Sequence, residues 1–376
     1  MKATQEKEAD LGNSSIGKLL FKLALPAILA QIINVMYNMV DRMYIGHIAD
    51  VGPSALTGVG VTMPLIMAIS AFAALVSMGG APRASIMMGK GDKETAEKIL
   101  GNCTTMLVLM AAVLTAVILL FGKPILLMFG ASDNTIGYAW DYMSIYAMGT
   151  IFVQISLGLN AFINAQGYAR TGMLTVAIGA VCNIILDPIL IFGLDMGVKG
   201  AALATILSQA VSFVWVLRFL TSGKSFLRIR KGYLKLSADI ILPCIGLGVS
   251  PFIMQFTESI ISVCFNTSLL KYGGDIAVGA MTIMTSVMQF SMLPLQGLTQ
   301  GAQPIISFNY GAGNIERVKK AFRLLLASSL VYSTLLWAIA MFLPHVFIAI
   351  FTSSAELSAY VTWSIRIYMA ASLLFG

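Results

Sequence analysis

Residues 26–41 read PAILAQIINVMYNMVD, and residues 251–266 read PFIMQFTESIISVCFN. Both stretches open on proline and keep the same apolar rhythm, and the register sets Asn266 opposite Asp41. Further along, GGAPRASIMMGKGDKETAEK (79–98) pairs with QGAQPIISFNYGAGNIERVKK (300–320). Pro82 precedes Gly89 and Gly91 by 7 and 9 residues, and Pro304 precedes Gly311 and Gly313 by the same intervals. Glu94 and Glu316 then open basic-flanked helices. Matches running through two apolar segments and a loop make this an internal repeat, offset by about 225 residues.

The chain of 376 residues is 58% hydrophobic and 11% charged. Soluble domains carry about 25% charged residues, so this much apolar sequence does not fit one soluble core. It falls into stretches long enough to cross roughly 30 Å of hydrocarbon as helix. The sequence predicts an all-α polytopic membrane protein with ten spans. They run about 18–45, 53–78, 96–121, 138–163, 170–194, 199–220, 239–270, 276–301, 320–350 and 357–376. The polar start has no apolar signal-peptide core. Cys103, Cys182, Cys244 and Cys264 follow no metal-ligand spacing and read as small buried residues.

Basic residues fall on one side. The N-terminus, the 2–3 and 8–9 loops, the 4–5 turn and the 6–7 linker hold 19 of the 24 Lys and Arg residues. Only Lys123, Lys199 and Lys271 lie opposite, with Arg42 and Arg366 inside spans. The positive-inside rule puts the N-terminus and linker in the cytoplasm. The net charge of +7 is this topology signal and calls for no nucleic acid. Six spans separate the repeat units, an even number, so the halves are parallel repeats about an axis along the membrane normal. The expected organisation is a first lobe over 13–221, a basic linker over 222–237 and a second lobe over 238–376. Ten of twelve expected helices are then present, which reads as a fragment.

Two acids sit at bilayer depth. A carboxylate there costs about 2.5–3.5 kcal/mol on insertion scales, so Asp41 and Asp187 are expected to bind something. At 1.5 Å rise per residue, the first and fifth spans bring them to similar depth. Tyr37 and Asn183 stand one turn before them, on the same faces, and Thr205 reaches the layer from the sixth span. Pro188 cannot donate to the Ile184 carbonyl. Two nearby carboxylates repel when both are charged, which favours a shared proton or a cation between them. Na⁺ at Asp41 and Asp187 is the one metal ion that the pattern suggests; no cofactor is called for. Glu258, the deep acid of the second half, either faces the central cavity or bonds within its own lobe. Asn160 reads as structural, like Pro26 and Pro188.

These residues resemble the multidrug and toxic compound extrusion (MATE) family, bacterial DinF-like and MepA-like branch. The resemblance rests on LALPAILAQIINVMYNMVDRMYIGHI (23–48), NAFINAQGYARTGM (160–173), NIILDPILIFG (183–193) with GVKGAALAT (197–205), and QGAQPIISFNYGAGN (300–314). It implies two six-helix bundles and an antiporter that expels organic cations or amphiphilic drugs in exchange for H⁺ or Na⁺. It implies roles for Asp41, Asn183, Asp187 and Thr205 in an ion site with Tyr37 beside it, and for Glu258 as the acid of the seventh span. The tenth span carries Arg366 and no acid, against the pattern of some branches. The expected setting is a bacterial inner membrane, with the protein a monomer in contact with lipid. A lipid-linked oligosaccharide flippase of the same superfamily would call for more basic residues in the cavity. A channel would not need unequal repeats. An enzyme would need a constellation that His47 and His345 do not provide.

Overall fold

The computed structural model describes residues 10–48, 51–344, 355–370 and 372. The side chains of Cys264, Asn266 and Lys271 fall outside the described residues, as do His345 and Gly376. The helices are α1 (Ile16–Gly46), α2 (Gly52–Gly89), α3 (Lys93–Met128), α4 (Ile136–Met148), α5 (Thr150–Ala165) and α6 (Ala169–Pro188). A π-helical turn (Ile189–Gly193), α7 (Gly197–Thr221), a 3₁₀ turn (Lys231–Tyr233), α8 (Ala238–Gly311), α9 (Ile315–Phe342) and α10 (Ala355–Tyr368) complete the order. All described elements are helical. In hydrocarbon, only helices and closed barrels satisfy every backbone group. Large apolar side chains such as Val113, Leu120 and Phe121 face outward, as lipid allows. The chain is a multi-pass membrane protein.

Seven described helical segments are long and apolar enough to cross a membrane. An eighth is the pair α4 and α5, bent by 59°. The sequence predicts one straight span over 138–163. The break comes at Gly149, where an added Cβ would lie 2.5 Å from the Ile206 side chain, so α7 occupies the inside of the bend.

A second correction concerns 239–270 and 276–301, expected as two spans around a loop. Backbone helix runs unbroken from Ala238 to Gly311. It is not straight. Cys244 and Phe308 would stand about 96 Å apart along a straight helix. Yet they lie against Gly79 and Gly89, ten residues apart on α2. The helical segment therefore doubles back. Gly273 and Gly274, between the two expected spans, lie within helical backbone.

The repeat is visible in the packing. An added Cβ at Gly89 would collide with the Phe308 carbonyl, and one at Gly311 with the Ile86 carbonyl. The stretch near Gly79 packs on Cys244, while the equivalent stretch near Gly301 packs on Ala24. Small residues let membrane helices approach this closely. Both helices end alike. Gly91 and Gly313 have φ of +80° and +74°. Asp92 N donates to Met87 O and Asn314 N to Asn309 O, each at 2.9 Å, closing the last turns as left-handed caps.

At the basic end the halves are latched. Arg317, on α9, donates to Leu11 O (3.2 Å), Ser14 O (2.7 Å) and Asn309 Oδ1 (2.9 Å). Asn309 also donates to Leu11 O at 2.9 Å. Leu11, Leu19, Leu23, Ala302 and Ile305 form an apolar cluster beside these bonds. The segment 222–237, expected as a surface linker, is strapped to the first-half helices. Gln166 Oε1 accepts from Ser225 Oγ and Leu227 N, Asn102 Oδ1 accepts from Ser237 N, and buried Glu97 pairs with Arg230.

Candidate functional site

α1 presents Tyr37 and Asp41 one turn apart, and α6 presents Asn183 and Asp187 in the same relation. The two pairs meet. Asp187 is fully buried and Asp41 is 6% exposed. Their carboxyl groups lie within hydrogen-bonding reach of each other. Asn183 Nδ2 donates to Asp187 Oδ1 at 3.1 Å. Asp41 Oδ1, Asn183 Oδ1 and Asp187 Oδ2 are buried without a donor among the described residues. Buried polar atoms are rarely left so. Two facing carboxyl groups with unpartnered oxygens, and an amide oxygen on the residue that bonds one of them, suit a shared proton or a monovalent cation. No group of three His, Cys, Asp or Glu side chains converges among the described residues.

Pro188 shapes this corner. Its ring excludes a normal α-helical bond to the turn before it, and the chain goes on as a π turn. Leu194 N donates to Ile189 O at 2.9 Å. Such π turns are frequent at functional sites.

Sequence reasoning missed two members. Tyr142 and Tyr146, on α4, are buried and stack on each other with ring centroids 6.1 Å apart. The Tyr142 hydroxyl bonds Thr205. The signal was present: two phenols one turn apart within an apolar span, the spacing of Tyr37 and Asp41.

A cavity of about 340 Å³ opens beside the acid pair, lined among others by Tyr37, Arg42, Asn160, Asn183, Thr205 and Gln289. Asp41 and Asp187 do not line it; Tyr37 and Asn183 stand between. Asn160, expected to be structural, does two things. Its Nδ2 donates to Gly172 O at 3.2 Å, tying α5 to α6, and its side chain lines the cavity. Pro26 is buried inside α1, away from the acids. Glu258 is exposed on α8 and absent from the cavity lining. Met254 and Phe256, on the same stretch of α8, are exposed as well. Arg42 makes no ion pair with Asp41. Its Nη2 lies 3.4 Å from Met63 Sδ on α2.

The MatE family model matches residues 26–189 and 251–375. The chain belongs to the MATE transporter family. The two matched stretches are the two repeat units, each beginning on a proline inside the first helix of its unit. The MATE chain is 25% identical over 363 residues to the multidrug export protein MepA of Staphylococcus haemolyticus strain JCSC1435, covering 96% of this chain and 79% of that one. It is 23% identical over 363 residues to MepA of Staphylococcus aureus strain NCTC 8325, with 96% and 80% covered. Its fold matches an outward-facing multidrug resistance MATE family transporter of the MOP superfamily. There the TM-score is 0.88 and the identity 22%, over 99% of this chain and 82% of that one. It also matches a MATE structure in the bent conformation, with a TM-score of 0.88 and 21% identity, over 99% and 84%. As a MATE transporter it moves a solute across the membrane.

Proposed function

We propose that this chain is a secondary active antiporter that exports amphiphilic drugs, organic cations among them, in exchange for H⁺ or Na⁺. The observation that carries the reading is the Asp41–Asp187 pair, sealed from solvent beside a solute-sized cavity, with three unpartnered oxygens. The kinship with multidrug export proteins supports the choice of cargo.

The mechanism is alternating access. A cation arriving between the carboxylates cancels their repulsion and draws α1 toward α6. Tyr37 and Arg42 ride on α1, so the cavity wall changes shape and substrate leaves. The ion drives this only if it binds the two arrangements with unequal affinity. The charge bias supports a cytoplasmic basic end in a bacterial cell, with the N-terminus inside. The Arg317 latch then closes the cytoplasmic side, and substrate loads when it opens. A single chain holds both halves of the pathway, so a monomer suffices.

The test is movement of a fluorescent organic cation in vesicles under an imposed pH or Na⁺ gradient. Wild type is expected to accumulate dye against its gradient, which a channel does not do. Asp41→Asn and Asp187→Asn each abolish this coupled movement and leave membrane insertion intact. Unchanged coupled flux in both variants removes the acid pair from the mechanism.

A further inference from the structure

The cavity carries one formal charge among its described lining residues, and it is positive: Arg42. Asp41 and Arg42 are consecutive, so their side chains leave α1 about 100° apart. Asp41 turns into the bundle toward Asp187. Arg42 turns toward α2, where Nη2 meets Met63 Sδ at 3.4 Å. A thioether is a weak acceptor, and Arg42 forms no ion pair among the described residues. Its guanidinium therefore brings unused donors to the cavity wall, in a planar fork that matches two oxygens of one acid group.

The acids offer a cationic substrate no equivalent hold. Asp187 is fully buried, Asp41 nearly so, and the two face each other behind Tyr37 and Asn183. Glu258 lies elsewhere. The other polar groups of the wall are neutral, among them Asn34, Gln209 and Gln289, and Met39, Met63 and Met67 supply an adaptable apolar surface.

We propose that the substrates this cavity holds best carry a carboxylate on a flat amphiphilic body, and that Arg42 binds the carboxylate. A zwitterion meets this description; a cation without an acid group lacks half of it. Arg42 is then a specificity-determining residue. The inference rests on the transport reading above and narrows its substrate class.

Rhodamine 110 and rhodamine 123 test it. They share one fluorescent body; the first carries a free carboxylate, the second its methyl ester. Binding of each is measured by fluorescence anisotropy on full-length protein in lipid nanodiscs. Wild type is expected to bind rhodamine 110 roughly tenfold tighter or more, the range of a hydrogen bond to a charged group. Arg42→Gln is expected to remove that preference, and Arg42→Lys to retain part of it. Equal affinity of wild type for both dyes, or a preference for the ester, overturns the inference, and so does an Arg42→Gln preference equal to wild type. The wild-type ratio decides the matter even if a variant fails to fold. Gradient-driven flux in vesicles is read separately. Coupled flux of rhodamine 123 without any carboxylate preference defeats this inference alone. Binding of both dyes with no coupled flux defeats the antiport reading and leaves the Arg42 comparison intact.

Discussion

Gly89 and Gly311 hold equivalent places in the two repeats, and each lies against the backbone of the other's helix. The reciprocal contact, Gly89 on Phe308 O and Gly311 on Ile86 O, is the geometry of a two-fold interface built within one chain. It sits at the basic end, where the halves close.

Neither position has room for a side chain, because the atom in the way is a backbone carbonyl. Gly89→Val and Gly311→Val are each expected to destabilise the closed arrangement by about 1–3 kcal/mol, the usual cost of overpacking. The two losses should be of similar size. Thermal unfolding of the purified protein in detergent measures both, and an unchanged midpoint in both variants contradicts the reciprocal contact.

Arg317 binds the start of the chain to the 8–9 loop through carbonyls, not through a carboxylate. Arg317→Ala is expected to free Leu11 and Ser14 and expose the cluster beneath. In a cysteine-free background, a Leu11→Cys probe should react with maleimide several-fold faster when Arg317 is also replaced. Arg317→Lys should fall between, since an ammonium lacks the planar fork. Equal labelling rates would show that the latch does not hold this end shut.

Asn183 is the donor that Asp187 Oδ1 depends on. Asn183→Ala leaves that oxygen buried without a partner, a loss of about 1–3 kcal/mol. In the antiport scheme the driving ion then binds about tenfold more weakly. The concentration of ion giving half-maximal flux is the readout, and an unshifted midpoint separates Asn183 from the ion site.

Glu97 is 2% exposed and receives both Arg230 and the Arg228 backbone N–H. Glu97→Gln removes the charge that the strap binds. Trypsin should then cut between Lys224 and Lys235 faster than in wild type, while the helices stay intact. Resistance equal to wild type would mean that Gln166 and Asn102 hold the strap without Glu97.

Much of this architecture was legible in the chain. Pro26 and Pro251, the paired Gly-x-Gly turns and the one-sided Lys and Arg residues announced repeats, caps and membrane sidedness, because those features depend on local backbone chemistry and on solvent. Asp41 and Asp187 stood out because a carboxylate in an apolar helix is expensive wherever it sits, and helical rise alone brought them to one depth. Periodicity could not show that α4 breaks at Gly149 to make room for Ile206, nor that 239–301 runs as continuous helical backbone. It could not seat Tyr142 and Tyr146 beside the acids. Those outcomes depend on which helix faces meet. The sequence by itself determined the membrane solvent, the repeat and the identity of the acids, since these follow from composition and spacing. Only the tertiary structure decided that Asp41 and Asp187 lie within hydrogen-bonding reach while Arg42 is the one charged side chain among the described residues lining the cavity. A 100° step along one helix separates neighbouring side chains, and packing alone selects what each one meets.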